Sequence, residues 1–423
     1  MSTLLPRGGD GHRSCRFCGA PLSLSLVDLG DQPLANAYLS AEGLARPEPR
    51  YPLHARVCGA CRLVQVGAAV PPEEIFSDYA YFSSVATSWV AHAERYARAM
   101  RDRLSLGPTS RVVEIASNDG YLLRHFVAMG IPCLGIEPAA NVAAQAVASG
   151  VPTEVAFFGR DTAARLRARD GAADLIAANN VFAHVPDLND FAGGFATLLA
   201  PSGTLTIEFP HLLNLLRELQ FDTIYHEHYC YFSLAAAERV LAAQGLAVFD
   251  VEELPTHGGS LRLLVAHAAA GRAEGPGLAA VRAKEAAAGL DTDMAYGGYA
   301  AACAAVRDGL VAFLDRMRAE GRRVAAYGAA AKGNTLLNYC GITADDGRIA
   351  FVADRAPSKQ GRFLPGSRIP IRAPEAIFAE RPDIVLILPW NIRREIAADL
   401  AGIAAWGGRF AVAIPRLSVF DAA

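Results

Sequence analysis

The sequence predicts an α/β protein: two doubly wound, Rossmann-like units behind a small metal-binding N-terminal domain. Three observations carry that reading. Two Cys-x-x-Cys pairs stand near the N-terminus, at Cys15/Cys18 and Cys58/Cys61. An apolar strand pattern at 111–116 runs through a turn of small residues into a helix, and a second at 323–327 does the same. The length of 423 residues allows about two to four domains.

Composition bounds the function. Hydrophobic residues make up 52% and charged residues 20%, an ordinary globular usage. With 40 basic against 43 acidic side chains the net charge is −3, which argues against a general nucleic-acid binder. No apolar run approaches the roughly 18–20 residues of a membrane span. The first nine residues, Met1 to Gly9, lack the apolar core of a signal peptide. A soluble, cytoplasmic protein with no membrane or nucleic-acid partner is expected. Three of the 40 basic residues are lysines (Lys284, Lys332 and Lys359), so a retained lysine is a better candidate for a specific role than any one arginine.

Each Cys-x-x-Cys turn lets two thiolates reach one ion, and two such knuckles complete the closed tetrahedral site of structural zinc. A disulfide framework is the competing reading, but a long cytoplasmic chain has neither the compartment nor the need for it. The remaining cysteines (Cys133, Cys230, Cys303, Cys340) stand alone and read as small buried hydrophobes.

A helical pattern over about 86–104 precedes the strand at 111–116, which enters Ser117-Asn118-Asp119-Gly120 and a helix from near Tyr121. Strand, turn and helix in this order bring backbone amides to a ligand. The turn lacks the G-x-G-x-x-G of dinucleotide enzymes. With Glu114 on the strand and Asp119 in the turn, it suits the ammonium of a sulfonium cofactor better than a pyrophosphate. The next strand, 133–137, ends in Glu137, a carboxylate placed to accept ribose hydroxyls. Strands at 174–178, ending in Asn179-Asn180, and at 203–208 follow. The pattern resembles a class I S-adenosylmethionine methyltransferase over about residues 85–250. The cofactor-binding set expected is Glu114, Ala116, Asn118, Asp119, Gly120, Glu137, Pro138, Phe158 and Asn179.

After that unit comes Phe221-Asp222-Thr223-Ile224-Tyr225-His226-Glu227-His228-Tyr229-Cys230-Tyr231-Phe232-Ser233. Buried polar groups without partners cost about 1–3 kcal/mol each, so this density of imidazole and carboxyl groups points to chemistry. Histidine is the natural base for a proton beside a carbonyl, tyrosine donates to an oxyanion, and glutamate orients an imidazole. His226 and His228 point opposite ways in an extended segment, and either is open as the base. The H-E-x-x-H spacing of zinc proteases is absent. His184 lies just past a strand end, where ligands sit in open α/β sheets, with a satisfied core histidine as the alternative. The segment 79–84 reads as a lid or a packed linker.

An Ala/Gly-rich helical stretch near 270–300 joins the second unit, in which 323–327 enters Gly328-Ala329-Ala330-Ala331-Lys332-Gly333-Asn334-Thr335 and then a helix. Small residues there let backbone approach a phosphate, and Lys332 supplies a point charge. The strand 349–353 ends in Asp354 and leads to Lys359, and a third strand covers 383–388. Lys332 and Lys359 are therefore expected in loops of this unit.

The zinc knuckles, Val113-Glu114-Ile115-Ala116-Ser117-Asn118-Asp119-Gly120, Tyr225-His226-Glu227-His228 and Tyr327-Gly328-Ala329-Ala330-Ala331-Lys332-Gly333-Asn334 stand in one order. The assembly resembles the nucleotide-sugar C-methyltransferases, typified by C-3 methyltransferases of thymidine-diphosphate 4-keto-deoxysugars in antibiotic pathways, from about Cys15 to Phe420. The resemblance implies a zinc-binding domain (1–75), a methyltransferase domain (76–255) and a C-terminal Rossmann-like domain that helps hold the sugar nucleotide (256–423). It implies S-adenosylmethionine and structural zinc as cofactors and a nucleotide-linked sugar as substrate. It makes His228 the base with Tyr225 and Glu227 beside it, and sets His184 and Tyr81 near the sugar diphosphate. Ser84, Lys332, Asn334, Asp354 and Lys359 complete the expected substrate-binding set. His226 stands where the typified sugar enzymes carry an acidic residue, which leaves the sugar open. The rival readings are an O- or N-methyltransferase on a related metabolite and a non-catalytic zinc- and nucleotide-binding module.

Overall fold

The computed structural model describes residues 13–68, 70–76, 82–85 and 87–422. Its strands are β1 (Leu24–Gln32), β2 (Tyr51–Val57), β3 (Val64–Gln65), β4 (Val112–Ile115), β5 (Cys133–Glu137), β6 (Thr153–Val155), β7 (Ala173–Asn179), β8 (Leu199–Pro210), β9 (Cys230–Tyr231), β10 (Leu246–Leu254), β11 (Ser260–His267), β12 (Val324–Tyr327), β13 (Val352–Ala353), β14 (Ile371–Arg372), β15 (Ile384–Ile387), β16 (Arg409–Val412) and β17 (Ser418–Asp421). They form three sheets among the described residues: β1-β2-β3-β9, β10-β11-β8-β7-β4-β5-β6, and β14-β13-β12-β15-β16-β17.

The seven-stranded sheet is parallel from β6 through β8 and antiparallel where β11 joins β8 and β10 joins β11. Its interior strand β4, Val-Val-Glu-Ile, is buried throughout, as expected of a parallel strand covered on both faces. Gly135 in β5 is required by packing. A Cβ there would stand 2.3 Å from the Ser117 hydroxyl oxygen and 3.1 Å from that of Thr153. Ser117 belongs to the turn after β4, so this contact sets the height of the turn over the sheet.

Two differences from the sequence reading follow from this topology. The stretch Ser260–His267 lies beyond the expected boundary at 255, yet it pairs with β8 as the penultimate strand of the seven-stranded sheet. Helix Pro276–Ala287, read as part of the C-terminal unit, packs on β10 through Leu278 and Val281. The seven-stranded sheet and the helix packed on it thus take in residues as far as 287. Separately, and against the sequence reading that no apolar run approaches a membrane span, the stretch Asp293–Ala319 is by length and composition apolar enough to cross a membrane. In the fold, helix Tyr299–Ala319 buries Tyr299, Cys303, Val306, Leu310, Phe313, Leu314 and Met317 in the core that joins β1 to the C-terminal sheet. That spacing is the inward stripe of a helix.

The C-terminal sheet is parallel except for β17. Strand 349–353 is shorter than read, with only Val352–Ala353 in ladder geometry. Helix Ala331–Tyr339 starts earlier than expected, so Lys332 and Asn334 stand in its first turns and only Lys359 lies in a loop.

Gly135→Ala is expected to lower stability by about 1–3 kcal/mol through overpacking, read as a fall in the thermal midpoint, with weaker cofactor binding because Ser117 is displaced. An unchanged midpoint would contradict the packing argument.

Candidate active site

The N-terminal metal site comes first, because it holds the loop that carries the histidines. The sulfurs of Cys15, Cys18, Cys58 and Cys61 all lie within 4.8 Å of one another. Cys15 and Cys61 stand 3.6 Å apart and Cys18 and Cys58 3.5 Å apart, with no disulfide among them. Zinc–sulfur bonds of about 2.3 Å in a tetrahedron give sulfur separations near 3.8 Å, so the four thiols fit zinc and leave no open coordination position. Gln65 Nε2 donates to Cys15 Sγ at 3.2 Å while its Oε1 accepts the Arg16 amide at 3.0 Å. Gln65 is itself half of β3. It faces Cys230 of β9, and Val64 faces Tyr231. The zinc domain's sheet thus ends on a strand from the methyltransferase domain, two residues beyond His228.

The loop before β9 is a turn and not the extended segment read from sequence. The His228 amide donates to Tyr225 O at 2.9 Å and closes it. His226 and His228 do diverge. The His226 ring stands against Tyr51, with Nε2 3.2 Å from the Tyr51 carbonyl oxygen. His228 turns the other way. Its Nδ1 lies 3.0 Å from Thr223 O, which can only accept, so Nδ1 carries the proton. The free lone pair is then on Nε2, 2.9 Å from the Tyr225 hydroxyl, which donates to it. Burial, with His184, His257 and Lys332 nearby, holds His228 well below the usual imidazole range. It is neutral at neutral pH.

Glu227 does not orient this imidazole, as was expected of it. Its oxygens take Asn36 Nδ2 at 2.7 and 3.0 Å, and Thr223 O does the orienting. Burial pushes the Glu227 carboxyl up to about 7. His184 joins His228, ring to ring at 4.7 Å, and burial takes it down to about 4.

The cofactor turn lies at the carboxyl end of β4. Ala116 and Asn118 take positive φ values of 56° and 50° there, and Gly120 a φ of 77° with Val151 2.8 Å from where its Cβ would be. Glu137 accepts the Asn118 amide at 2.9 Å and, across Pro138, the Ala139 amide at 2.9 Å. These bonds leave lone pairs for ribose hydroxyls. Among the described residues, one oxygen of Asp119 and the Asn179 side-chain oxygen have no hydrogen-bond partner, and the buried Glu114 faces the Tyr121 side chain. Burial raises Glu114 well above the carboxylate range. Unpartnered acceptors ringing a turn of this kind fit the ammonium and ribose of S-adenosylmethionine. Phe158, just past β6, is half-buried against Phe191 and Phe195 at 5.4 Å from each.

The expected substrate-binding residues divide. Ser84 belongs to the cofactor turn, where its amide and hydroxyl both donate to Asp119. Tyr81 lies outside the described residues. Asn334 spends its amide on the Ala35 carbonyl at 2.6 Å, clasping the zinc domain. Lys332 donates to Asn391 Oδ1 at 2.8 Å above the Trp390 ring, and burial lowers it. Trp390 Nε1 in turn donates to Asp222 Oδ2 at 2.8 Å. Lys359 donates to Ala329 O at 2.8 Å and stands 3.7 Å from Asp354, whose Oδ2 also accepts the Ala329 amide at 2.7 Å.

Several residues at the site escaped the sequence reading: Asn36, Tyr38, Trp89, His257 and Trp390. His257 adopts a φ of 53° before Gly258 and Gly259, its ring 5.1 Å from that of Trp89 and its Nε2 unpartnered. The Thr-His-Gly-Gly run at 256–259 was the one sequence signal available for His257.

Family models match as a zinc binding domain (residues 15–76), a methyltransferase domain (89–251) and a C-methyltransferase C-terminal domain (255–415). The chain is 37% identical over 408 residues, 96% of its length and 97% of the relative's, to C-methyltransferase NovU of Streptomyces niveus. Among solved structures it is similar to magnesium protoporphyrin IX methyltransferase of Synechocystis with bound SAH (14% identity, 42% of this chain and 82% of that one, TM-score 0.34). It is likewise similar to an S-adenosylmethionine-dependent methyltransferase of Clostridium acetobutylicum (11% identity, 44% and 92%, TM-score 0.35).

Cys58→Ser is expected to lower zinc content below one ion per chain and to lower the thermal midpoint while cofactor affinity is retained. Undiminished zinc by metal analysis would count against the four-thiolate site. On the four thiols, the cofactor turn and the whole-length relationship, the chain belongs to the family of zinc-binding, S-adenosylmethionine-dependent C-methyltransferases.

Proposed function

We propose that this C-methyltransferase acts on a nucleotide-linked 4-keto-deoxysugar, at the carbon beside the ketone (C-3), through an enolate generated by His228. The observation that carries the reading is the Tyr225–His228 pair, a neutral imidazole whose Nε2 lone pair is directed at a hydroxyl that can be displaced. S-adenosylmethionine, when bound, supplies the electrophilic methyl group. His228 Nε2 takes the proton from the carbon next to the ketone, and the C–H electron pair moves into the enolate. Once Nε2 is protonated it no longer accepts from Tyr225, whose hydroxyl is released to donate to the enolate oxygen. The enolate carbon then forms the new carbon–carbon bond as the methyl group leaves sulfur.

A neutral base suits the step, because the proton is taken up without first being lost to water. Glu227, near 7, is the second group of the loop able to exchange a proton at neutral pH. Lys332, Lys359 and Asp354 line the C-terminal side as the residues for the sugar nucleotide, each ammonium exchanging a present partner for phosphate oxygens. Tyr81 and His184 are assigned beside the sugar diphosphate. Four reduced thiolates suit a cytoplasmic setting.

The test uses zinc-loaded enzyme, S-adenosylmethionine and a thymidine-diphosphate 4-keto-deoxysugar in deuterated water, with the product read by NMR. Wild type is expected to place deuterium or a carbon-bound methyl beside the ketone. His228→Asn is expected to lose both by at least about 10²–10⁴-fold, with cofactor affinity near wild type. A fully active variant, or a methyl on oxygen or nitrogen, contradicts the proposal.

A further inference from the structure

The loop that follows β1 reaches from the zinc domain into the space between the other two domains. Asn36 Nδ2 donates to the Glu227 carboxyl, at 2.7 Å from Oε1 and 3.0 Å from Oε2. Two residues on, the Tyr38 hydroxyl donates to Ala329 O at 2.6 Å and lies 3.2 Å from Asn36 Oδ1. The same Ala329 oxygen accepts Lys359 Nζ at 2.8 Å, and that ammonium stands 5.2 Å from the centre of the Tyr38 ring. Asn334 clasps the loop from the C-terminal side through the Ala35 carbonyl. A continuous line of hydrogen bonds therefore runs from the C-terminal lysine, through two zinc-domain side chains, to the glutamate beside the base.

We propose that Asn36 is a positioning residue of the active site, by which the zinc domain fixes the orientation and protonation of Glu227. The argument is one of supply. Glu227 is 4% exposed, and among the described residues no lysine or arginine perturbs its carboxyl. The titratable groups around it are Tyr38 on the zinc-domain loop, Tyr229 on its own segment, and His184, whose ring bonds the Glu227 backbone. None of these is a cation at neutral pH. Among the described residues the Asn36 amide is thus the one side-chain donor that favours the ionised carboxylate against burial. An aspartate at 36 would keep the shape and present a like charge, and an alanine would leave the carboxylate alone in a low dielectric.

The role rests on the reading of the Tyr225–Glu227–His228 loop as catalytic, but its first test does not need the sugar. In zinc-loaded, substrate-free enzyme, infrared titration of the Glu227 carboxyl is assigned with Glu227→Gln as the blank. Asn36→Ala is expected to raise the midpoint by about one to two pH units, with zinc content and S-adenosylmethionine affinity unchanged. Asn36→Asp, close in volume to the wild-type side chain, is expected to raise it further, and it carries the test if the alanine variant loses zinc. A midpoint within a few tenths of wild type in the folded variant overturns the proposal. In turnover, the pH profile of kcat should move alkaline by the same amount with KM little changed. An infrared shift with an unmoved kcat profile would also overturn the positioning role. Absence of methylation of the 4-keto sugar by wild type would sink the substrate reading and leave the infrared result standing.

Discussion

The pairing of β3 with β9 is the constraint on which the rest of this molecule depends. Gln65 sits at its centre, its side chain on the Cys15 thiol and its backbone opposite Cys230. The Val66 amide extends the pairing by donating to Tyr229 O at 3.1 Å. On the other side, the Leu212 amide donates to Phe232 O at 2.9 Å, so the same short strand is pinned to the end of β8. A strand of two residues has little stability of its own. Held between a metal-organised sheet and a seven-stranded one, it becomes a fixed point, and the Tyr225–His228 turn hangs from it. The zinc domain is then part of the active-site framework. Arg239 completes the attachment by donating to the Cys61 carbonyl at 2.8 Å, and Asn189 by donating to Phe17 O at 2.9 Å.

The electrostatics of the cleft follow from burial. His184 and His257 are both brought down to about 4, and His228 falls well below its ordinary value. Asp222 is pushed up to about 6 by burial, against the pull of Lys332. Imidazoles that would titrate near neutrality in water are thus held neutral, and the Asp222 carboxyl is brought closer to neutral pH. Each shift of one unit represents about 1.4 kcal/mol of difference between protonation states. On the cofactor side the same burial leaves one oxygen of Asp119 without a donor among the described residues. An unmet acceptor of this kind is tolerated where a ligand completes it. Fixed dipoles and neutral bases, arranged before substrate arrives, are the form of preorganisation that favours charge developing in a transition state.

Much of this was legible in the sequence, for physical reasons that can be named. Paired thiols at x-x spacing announce a metal, and Cys15, Cys18, Cys58 and Cys61 do converge. Apolar runs ending in Glu114, Glu137 and Asn179 marked strands whose carboxyl ends form the ligand edge, and β4, β5 and β7 lie there. Contacts of long sequence separation were out of reach. Asn36 and Glu227 are 191 residues apart, and Tyr38 and Ala329 are 291 apart. Nor does local pattern reveal that Ser260–His267 lies between β8 and β10 in the seven-stranded sheet, since an antiparallel strand reads the same in either domain. Lys332 was misplaced into a loop because Gly328 and the alanines after it suit a turn and a helix start alike. Ser84 and Asn334 were assigned to substrate by position, whereas their donors are spent on Asp119 and the Ala35 carbonyl.

The central claim is that the metal site holds the Tyr225–His228 turn through β3 and β9. Amide hydrogen exchange across 224–232, compared in zinc-loaded and chelator-stripped full-length protein, tests it most directly. The account expects protection of the Cys230 and Tyr231 region to fall on zinc removal while β4, β5 and β7 keep theirs. Unchanged protection at 224–232 in protein shown to be free of zinc would contradict it.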